Sequence, residues 1–489
     1  MPTAHVVAVH WYGPMGQING TVNWQDYRYA TARAGTVRNF PMPIDAPGDL
    51  YGTAVAMAGS SANDFHTQMR RLAFRDLSNM RAAGFDNLLY DMLPSPNWTN
   101  AKTLQRPSTV ADATYAEPLL GYIAFLQYLA AAEMVGMTVA PLADIRNTSS
   151  DYPGGHTLDV TEWTAVLQGA IDNLPSSAAV FKIGGVPVMA HFGSDKGDGH
   201  PPDAGVTRQD GGWLDVLEDV RDSGRALHFV ADYRPNLSDA SVNQAWVSDP
   251  DPERRASALY MFAPAGTEQF MRDYQHSQRA VFSVPRWWTV SPGYYNAAAS
   301  FTQPSLARIH ETYLQAIADG VEHLVALTWN DFGEDTDIGP SANKGRCLLD
   351  VFAHYNAWLH SGEEPAPRDQ IVITYPLRSP SSVTTTASNY GTYGASPEFS
   401  PMKAHYWASL RSPARIVLAG CSPVTAPQGT SVGTLGTVSA GRQWVSINGK
   451  ATELPMIQTS GAEAQRASGG GLEHRYVDVS HLLTKRLRR

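Results

Sequence analysis

Two cysteines in 489 residues, Cys347 and Cys421, are too few for a disulfide framework. Neither sits in a spacing that holds zinc or an iron–sulfur cluster. They form at most one bridge with each other or stand as two free thiols, and their separation leaves both open. No run of about 18 apolar residues occurs, which excludes an ordinary membrane-spanning helix. The segment from Met1 to Val9 lacks the basic start and long apolar run of a secretory leader, so localisation stays open. Basic blocks are absent except Lys485 to Arg489, and the formal net charge is -9, which argues against nucleic acid as the main partner. A P-loop, a Gly-x-Gly-x-x-Gly turn after the first strand, a Gly-x-Ser-x-Gly elbow and a His-Glu-x-x-His helix are also missing. These absences point away from nucleotide, dinucleotide, serine-hydrolase and zinc-protease chemistry. No metal and no cofactor is expected, nothing suggests a membrane partner, and the oligomeric state is not encoded in any visible pattern.

What the chain does have is short apolar runs alternating with helix-length segments, the pattern of βα units around a parallel sheet. Eight such runs are Val6–Trp11, Asn87–Met92, Thr138–Ala143, Pro187–Phe192, Ala226–Ala231, Ala258–Phe262, Ala280–Val284 and His323–Trp329. Phe65, Met69, Leu72, Leu77 and Met80 recur at helical spacing before Gly84. Trp213, Val216 and Val220 do so before Gly224, and Leu306, Ile309, Tyr313 and Ala316 before Gly320. Eight units predict a closed (β/α)8 TIM barrel, an α/β fold of roughly 250 residues or more. Residues 13–60 form a long Gly- and Pro-rich insertion after strand 1, read as part of a cleft wall. The three aspartates in Ser194–Asp203 do not match a calcium loop and read as a solvated turn. Beyond about residue 378 short β-branched runs such as Ala414–Leu418 and Gln443–Ile447 are separated by Gly, Pro and Ser. They predict a small all-β, sandwich-like C-terminal domain, with Asn448-Gly449 as a hairpin turn. The expected division is a barrel over 1–370 and an accessory sandwich over 371–489.

Barrel chemistry sits at the C-terminal ends of the strands. Those ends carry His10, Trp11 and Tyr12 on strand 1, Asp91 on strand 2, and Asp144, Arg146 and Asn147 on strand 3. His191 follows on strand 4, Asp232 on strand 5, and Arg286, Trp287 and Trp288 on strand 7. Strand 8 ends in Trp329, Asn330 and Asp331, with Glu334 three residues on. Aromatic rings suit the C–H faces of sugars, and a Trp is equally a core residue. Asp331 and Glu334 are the candidate catalytic pair, because two facing carboxylates are the minimum machinery for cutting a glycosidic bond. Carboxyls about 5–5.5 Å apart give retention and roughly 6.5–9.5 Å give inversion; three residues on a turning chain can supply either. The competing structural reading makes Asp331 or Asp335 a helix N-cap, with Glu334 in the first turn.

The segment Thr328 to Glu334, Thr-Trp-Asn-Asp-Phe-Gly-Glu, resembles the late-barrel motif of glycoside hydrolase family 71, the α-1,3-glucanases or mutanases. Ala8 to Trp11 is similar to the His-aromatic end of that family's first strand, and Asp144 to the Asp ending its third. Gly362 to Pro365 and Asp369 to Ile371 are similar to the stretch leading into its β-domain. The resemblance spans residues 5 to about 378. It implies an inverting, metal-free endo-hydrolase of α-1,3-glucan, with Glu334 as general acid and Asp331 as general base. The other strand-end residues would then bind the polysaccharide. Asp335-Thr336 stands where the family has Ser-His, and Tyr12-Gly13-Pro14 departs from its first-strand continuation. Two alternatives stay open: a related glycosidase on an α-mannoside or bacterial surface polysaccharide, and a non-catalytic glycan-binding or attachment protein.

Overall fold

The computed structural model describes residues 5–10, 16–18, 21–23, 62–92, 117–144, 160–174, 176–192, 212–232, 250–262, 273, 275–277, 284–296, 300–302, 305–330, 336–341, 344–376, 403–457 and 474–483. The first eight major strands are β1 (His5–His10), β2 (Asn87–Met92), β3 (Thr138–Asp144), β4 (Val186–Phe192), β5 (His228–Asp232), β6 (Ala258–Tyr260), β7 (Arg286–Val290) and β8 (His323–Ala326). Each pairs in parallel with the next. β8 pairs with β1 in register from His5↔His323 to Ala8↔Ala326, so the sheet closes into a (β/α)8 barrel. The helices are α1 (Ala62–Ala82), α2 (Glu117–Val135), α3 (Val160–Asn173), α4 (Gly212–Asp222), α5 (Leu306–Ala318) and α6 (Cys347–Ser361).

The apolar stripe read in residues 65–80 is α1, whose Leu72, Leu77 and Met80 are buried against the strands. The helix stops where Gly84 takes φ +78°, a conformation that costs a residue with a Cβ. Gly84 also lies against Asn356, so the stop doubles as a contact with α6. Asn356 donates from Nδ2 to the Ala83 carbonyl at 2.7 Å and accepts from the Tyr313 hydroxyl at 2.6 Å. One buried amide thus joins α1, α5 and α6.

Strand 7 corrects the sequence reading. The expected run was Ala280–Val284, chosen for its apolar content; the strand runs over Arg286–Val290. Alternation along it sends Trp287 into the barrel and Trp288 out to the helices. Trp287 lies 4.7 Å from the His323 ring and 6.1 Å from Phe181, and these rings close the N-terminal end of the interior. β6 is only three residues long, and Gln275 serves the β7 edge above it. Its side chain accepts from the Thr289 amide at 2.6 Å and donates to the Thr289 carbonyl at 2.9 Å, taking the place of a missing strand residue.

The C-terminal strands are β9 (Gln370–Pro376), β10 (Lys403–Leu410), β11 (Ala414–Leu418), β12 (Val424–Ala426), β13 (Gly429–Thr437), β14 (Gly441–Ile447), β15 (Lys450–Ile457) and β16 (His474–Asp478). They form two antiparallel sheets, β13-β10-β9-β16 and β12-β11-β14-β15. Ile371, Ile373 and Ala408 of one meet Ile416, Val445 and Ile447 of the other in a common core, as in a sandwich. Asn448 and Gly449 form the β14–β15 turn with φ +50° and +84°, the doubly positive geometry that favours Asn-Gly. The opposite face of the first sheet does not meet solvent. Val372, Trp407 and Tyr476 belong to the same buried core as α5 and α6.

Polar groups close that junction. Trp407 donates from Nε1 to the Tyr355 hydroxyl at 3.0 Å, and Thr430 bonds His354 at 2.8 Å. Glu364 accepts from the Thr430 amide at 2.9 Å. Burial pushes the His354 imidazole down to about 4, with Arg368 and His310 acting in the same direction and Glu364 opposing them. Burial, aided by Arg221 and by Lys403 respectively, likewise brings His228 and His405 to about 4. These rings are neutral when folded and take up protons on unfolding. Their contribution to stability is complete above about 6.5, the unfolded value, and is lost as pH falls from there toward 4. The thermal midpoint is therefore expected to fall across that window, and His354→Gln to flatten part of the slope. An unchanged slope in the variant would remove His354 as a cause.

The thiols are also resolved. Cys347 opens α6 and Cys421 follows β11, and both are free. Burial pushes the Cys347 thiol up to about 12, so it is inert at neutral pH. No helix among the described residues is long and apolar enough to cross a membrane.

Candidate functional site

Alternation decides which strand-end side chains enter the barrel. On β2, Leu89 belongs to the interior core, so Asp91 two residues on faces the same way, fully buried near the C-terminal end. On β5, Val230 is interior and Asp232 follows it inward, also fully buried. Asp232 pairs in register with Tyr260. One of its oxygens accepts the Phe262 amide at 2.8 Å and so holds the chain as it leaves β6. The barrel thus brings two of the expected carboxylates, Asp91 and Asp232, to the C-terminal half of its interior.

Other expected residues are not at the mouth. His191 sits on the outer phase of β4, since Ala190 is interior, and its ring lies 5.4 Å from Phe229 among the helix-facing side chains. A polar residue at a strand end looked like a ligand contact; the pleat turns it the other way. Arg286, Trp287 and Trp288 begin β7 instead of ending it. Arg286 donates from Nη2 to the Gln275 carbonyl at 2.9 Å, Trp287 closes the floor, and Trp288 is packed under the helices. Trp329 is 2% exposed and edge-on to Phe85 at 6.4 Å, which leaves no open face for a sugar ring. Asn330, next to it, is also buried. His10 and Asp144 are the last residues of β1 and β3, and only their backbone is described. Trp11, Tyr12, Arg146, Asn147, Asp331 and Glu334 lie outside the described residues, as do Ser194–Asp203 and residues 24–60 of the long insertion.

The chain on both sides of Asp331 and Glu334 is described, and it is heavily tied. β8 ends at Ala326, three residues before the Trp expected to close it. Beyond the cis peptide between Leu327 and Thr328, two stretches run back alongside each other. The Thr328 amide donates to the Thr336 carbonyl at 3.2 Å, and the Ile338 amide to the Thr328 carbonyl at 3.0 Å. The Gly339 amide donates to the Trp329 carbonyl at 2.9 Å. The hydroxyls of Thr328 and Thr336 bond each other at 2.7 Å, both buried. A Cβ on Gly339 would stand 2.8 Å from the Trp329 carbonyl oxygen and 3.1 Å from its ring, so only glycine lets the two stretches meet this closely.

Behind this stem lies an ion pair that the sequence reading missed. Lys344 donates from Nζ to Asp337 Oδ1 at 2.8 Å and to the Asp337 carbonyl at 3.0 Å, and both side chains are essentially inaccessible. No periodicity or motif marks these two residues. They pair because the Ser341–Gly345 bridge, with Gly345 at φ +55°, folds the chain back just before α6.

The molecule is thus a (β/α)8 barrel with inward carboxylates toward its C-terminal end, carrying a docked β-sandwich. No protein-family model and no curated protein matches the sequence. Among solved structures, the GH99 endo-alpha-mannosidase from Bacteroides thetaiotaomicron is similar over 74% of this chain and 99% of its own, at 12% identity and TM-score 0.46 to 0.48 in two structures. A Cellulomonas fimi endo-beta-1,4-mannanase double mutant is similar over 94% of both chains, at 10% identity and TM-score 0.37. Beta-glucuronidase 2 from Bacteroides uniformis covers 80% of this chain with 44% of its own, at 10% identity and TM-score 0.40. These are distant likenesses of chain path, and no substrate follows from them.

Proposed function

We propose that this chain is a glycoside hydrolase that cleaves an α-1,3-glucan-like polysaccharide with inversion, Glu334 acting as general acid and Asp331 as general base. The observation that carries the reading is the tied stem after β8. Chain connectivity leaves Asp331 one residue from buried Asn330, and Glu334 two residues from buried Thr336. Two carboxylates three residues apart in sequence, between two stretches tied to each other beyond the last barrel strand, are what supports a two-carboxylate mechanism. Asp91 and Asp232 are further carboxylates in the C-terminal half of the interior, both fully buried.

The mechanism asks the acid to protonate the leaving glycosidic oxygen while the base draws a proton from water on the opposite face of the ring. The acid needs a pKa raised by its surroundings, and the base must stay ionised beside it. An α-linkage cut this way first releases the β-anomer. Digestion of a panel of α-1,3-glucan, α-mannoside and bacterial surface polysaccharides, followed by proton NMR of the first products, tests substrate and stereochemistry together. The expected result is β-anomeric product from α-1,3-glucan. Release of the α-anomer would overturn the inverting assignment.

A second reading, hydrolysis of another α-linked glycan, is favoured by the departures at Tyr12 to Pro14 and at Asp335-Thr336. Thr336 has a structural explanation, since its hydroxyl closes the stem with Thr328. Turnover of a different glycan in the panel would select this reading. Binding without turnover of any member would select a non-catalytic glycan-binding role.

A further inference from the structure

We infer that the buried Asp337–Lys344 pair is a positioning element. It locks the stem formed by residues 328–330 and 336–339 onto the start of α6, and thereby sets the placement of the chain that the stem presents. The inference rests on the proposed hydrolytic reading for its kinetic consequence, but not for its structural one.

Three observations converge on the pair. The first is cost. Moving two charges out of water is unfavourable, and a well-packed apolar pair of similar volume often serves stability as well or better. A fully buried Lys–Asp pair therefore calls for a role other than stability. The second is place. Asp337 immediately follows Thr336 and precedes Ile338, two residues whose backbones bond Thr328. Lys344 binds the carboxylate and the carbonyl of Asp337 together, so it fixes the peptide as well as the side chain. The third is what stands behind Lys344. The Ser341–Gly345 bridge holds its turn, and the Cys347 amide, at the first residue of α6, donates to the Lys344 carbonyl at 3.0 Å. α6 in turn is tied to α1 through Asn356 and to the sandwich through His354 and Tyr355. The stem is thereby referred to a helix packed into both the barrel and the sandwich.

Such a lock differs from a stabilising contact in what it does to the stem alone. Lys344→Met by itself removes the ammonium that binds the Asp337 carboxylate and carbonyl and is expected to destabilise the whole chain. The informative variant is the double substitution Lys344→Met with Asp337→Leu, which removes both charges and puts apolar side chains of similar shape in their place. Hydrogen exchange followed by mass spectrometry on the full chain reads the stem amides of Thr328, Ile338 and Gly339 directly. The expected result is a thermal midpoint close to the parent, with exchange of these amides faster while amides of the barrel strands keep their protection. On the cleaved glycan the same variant is expected to lose about 10- to 100-fold in kcat with KM little changed, as when reacting groups are displaced by an ångström.

Unchanged exchange at Thr328, Ile338 and Gly339 in a folded double variant would overturn the lock. Full kcat in that variant would overturn its kinetic role. If Asp331→Asn and Glu334→Gln are inert substitutions, the assignment of the catalytic pair fails, while the exchange result still decides the lock.

Discussion

Asp331→Asn and Glu334→Gln are each expected to lower kcat on the cleaved polysaccharide by about 10²–10⁴-fold, the usual worth of one positioned acid or base. Both changes keep size and shape, so the thermal midpoint should hold. The two variants should part company on substrates with an activated leaving group. A fluoride or dinitrophenolate leaves without protonation, so Glu334→Gln should recover much of its rate there. Asp331→Asn should not, because water must still be activated. The pH profiles should differ as well: loss of the base removes the acidic limb of the bell and loss of the acid removes the alkaline limb. The opposite pattern would exchange the two roles. Full activity in both variants would sink the assignment of the pair, whatever the chain proves to cut.

The second large effect is expected far from the mouth. Trp407→Ala should cost about 3–5 kcal/mol, the range for truncating a buried aromatic. The ring is fully buried in the core shared by the barrel helices and the first sandwich sheet. Its Nε1 bonds Tyr355, and its ring lies 5.3 Å from His354. Removing it opens a cavity and also deprives the Tyr355 hydroxyl of a donor. Because the core is continuous, urea unfolding followed by fluorescence and by circular dichroism should give one coincident transition in the parent. Two separated transitions, or a Trp407→Ala cost below about 1 kcal/mol, would contradict a shared core. The same continuity predicts that cutting the chain between α6 and β9 yields a barrel that does not stay soluble, since Val372, Trp407 and Tyr476 would leave an apolar face behind.

The fold was legible wherever a pattern had a single cause. Strands β2 and β3 are apolar runs bounded by turn residues, and Gly84, Gly224 and Gly320 all take the positive φ that their place after a helix suggested. Asn448-Gly449 reads correctly because a tight hairpin demands positive φ twice in succession. The pattern failed where residues serve two partners. β9, Gln370–Pro376, was not read as a strand of the sandwich because it is buried on both faces, Ile371 and Ile373 toward the other sheet and Val372 toward the barrel. Such a strand shows no alternation to read. β7 was misplaced because Ala280–Val284 is the more apolar run, whereas the strand itself carries Arg286 and two tryptophans that fill different core layers.

The candidate site was legible to the same extent. The strand-end rule named Asp91 and Asp232 as candidates, and their inward phase follows from Leu89 and Val230. It also took in His191, because a strand end read without its phase cannot tell a mouth residue from one beneath a helix. Trp329, a candidate sugar contact or core residue from its place at the end of strand 8, has Gly339 against it and Phe85 at its edge. The Asp337–Lys344 pair carries no sequence signature, because a contact made by a folded-back turn has no characteristic spacing.

The rings at the base of the barrel have a consequence for traffic. With Trp287, His323 and Phe181 packed together across the N-terminal end, the barrel is a cup and not a tube. A polymer cannot thread through it, and whatever comes to the inward aspartates must arrive and depart over the same rim. On the proposed hydrolytic reading, a polysaccharide would be bound and released from that one side of the barrel.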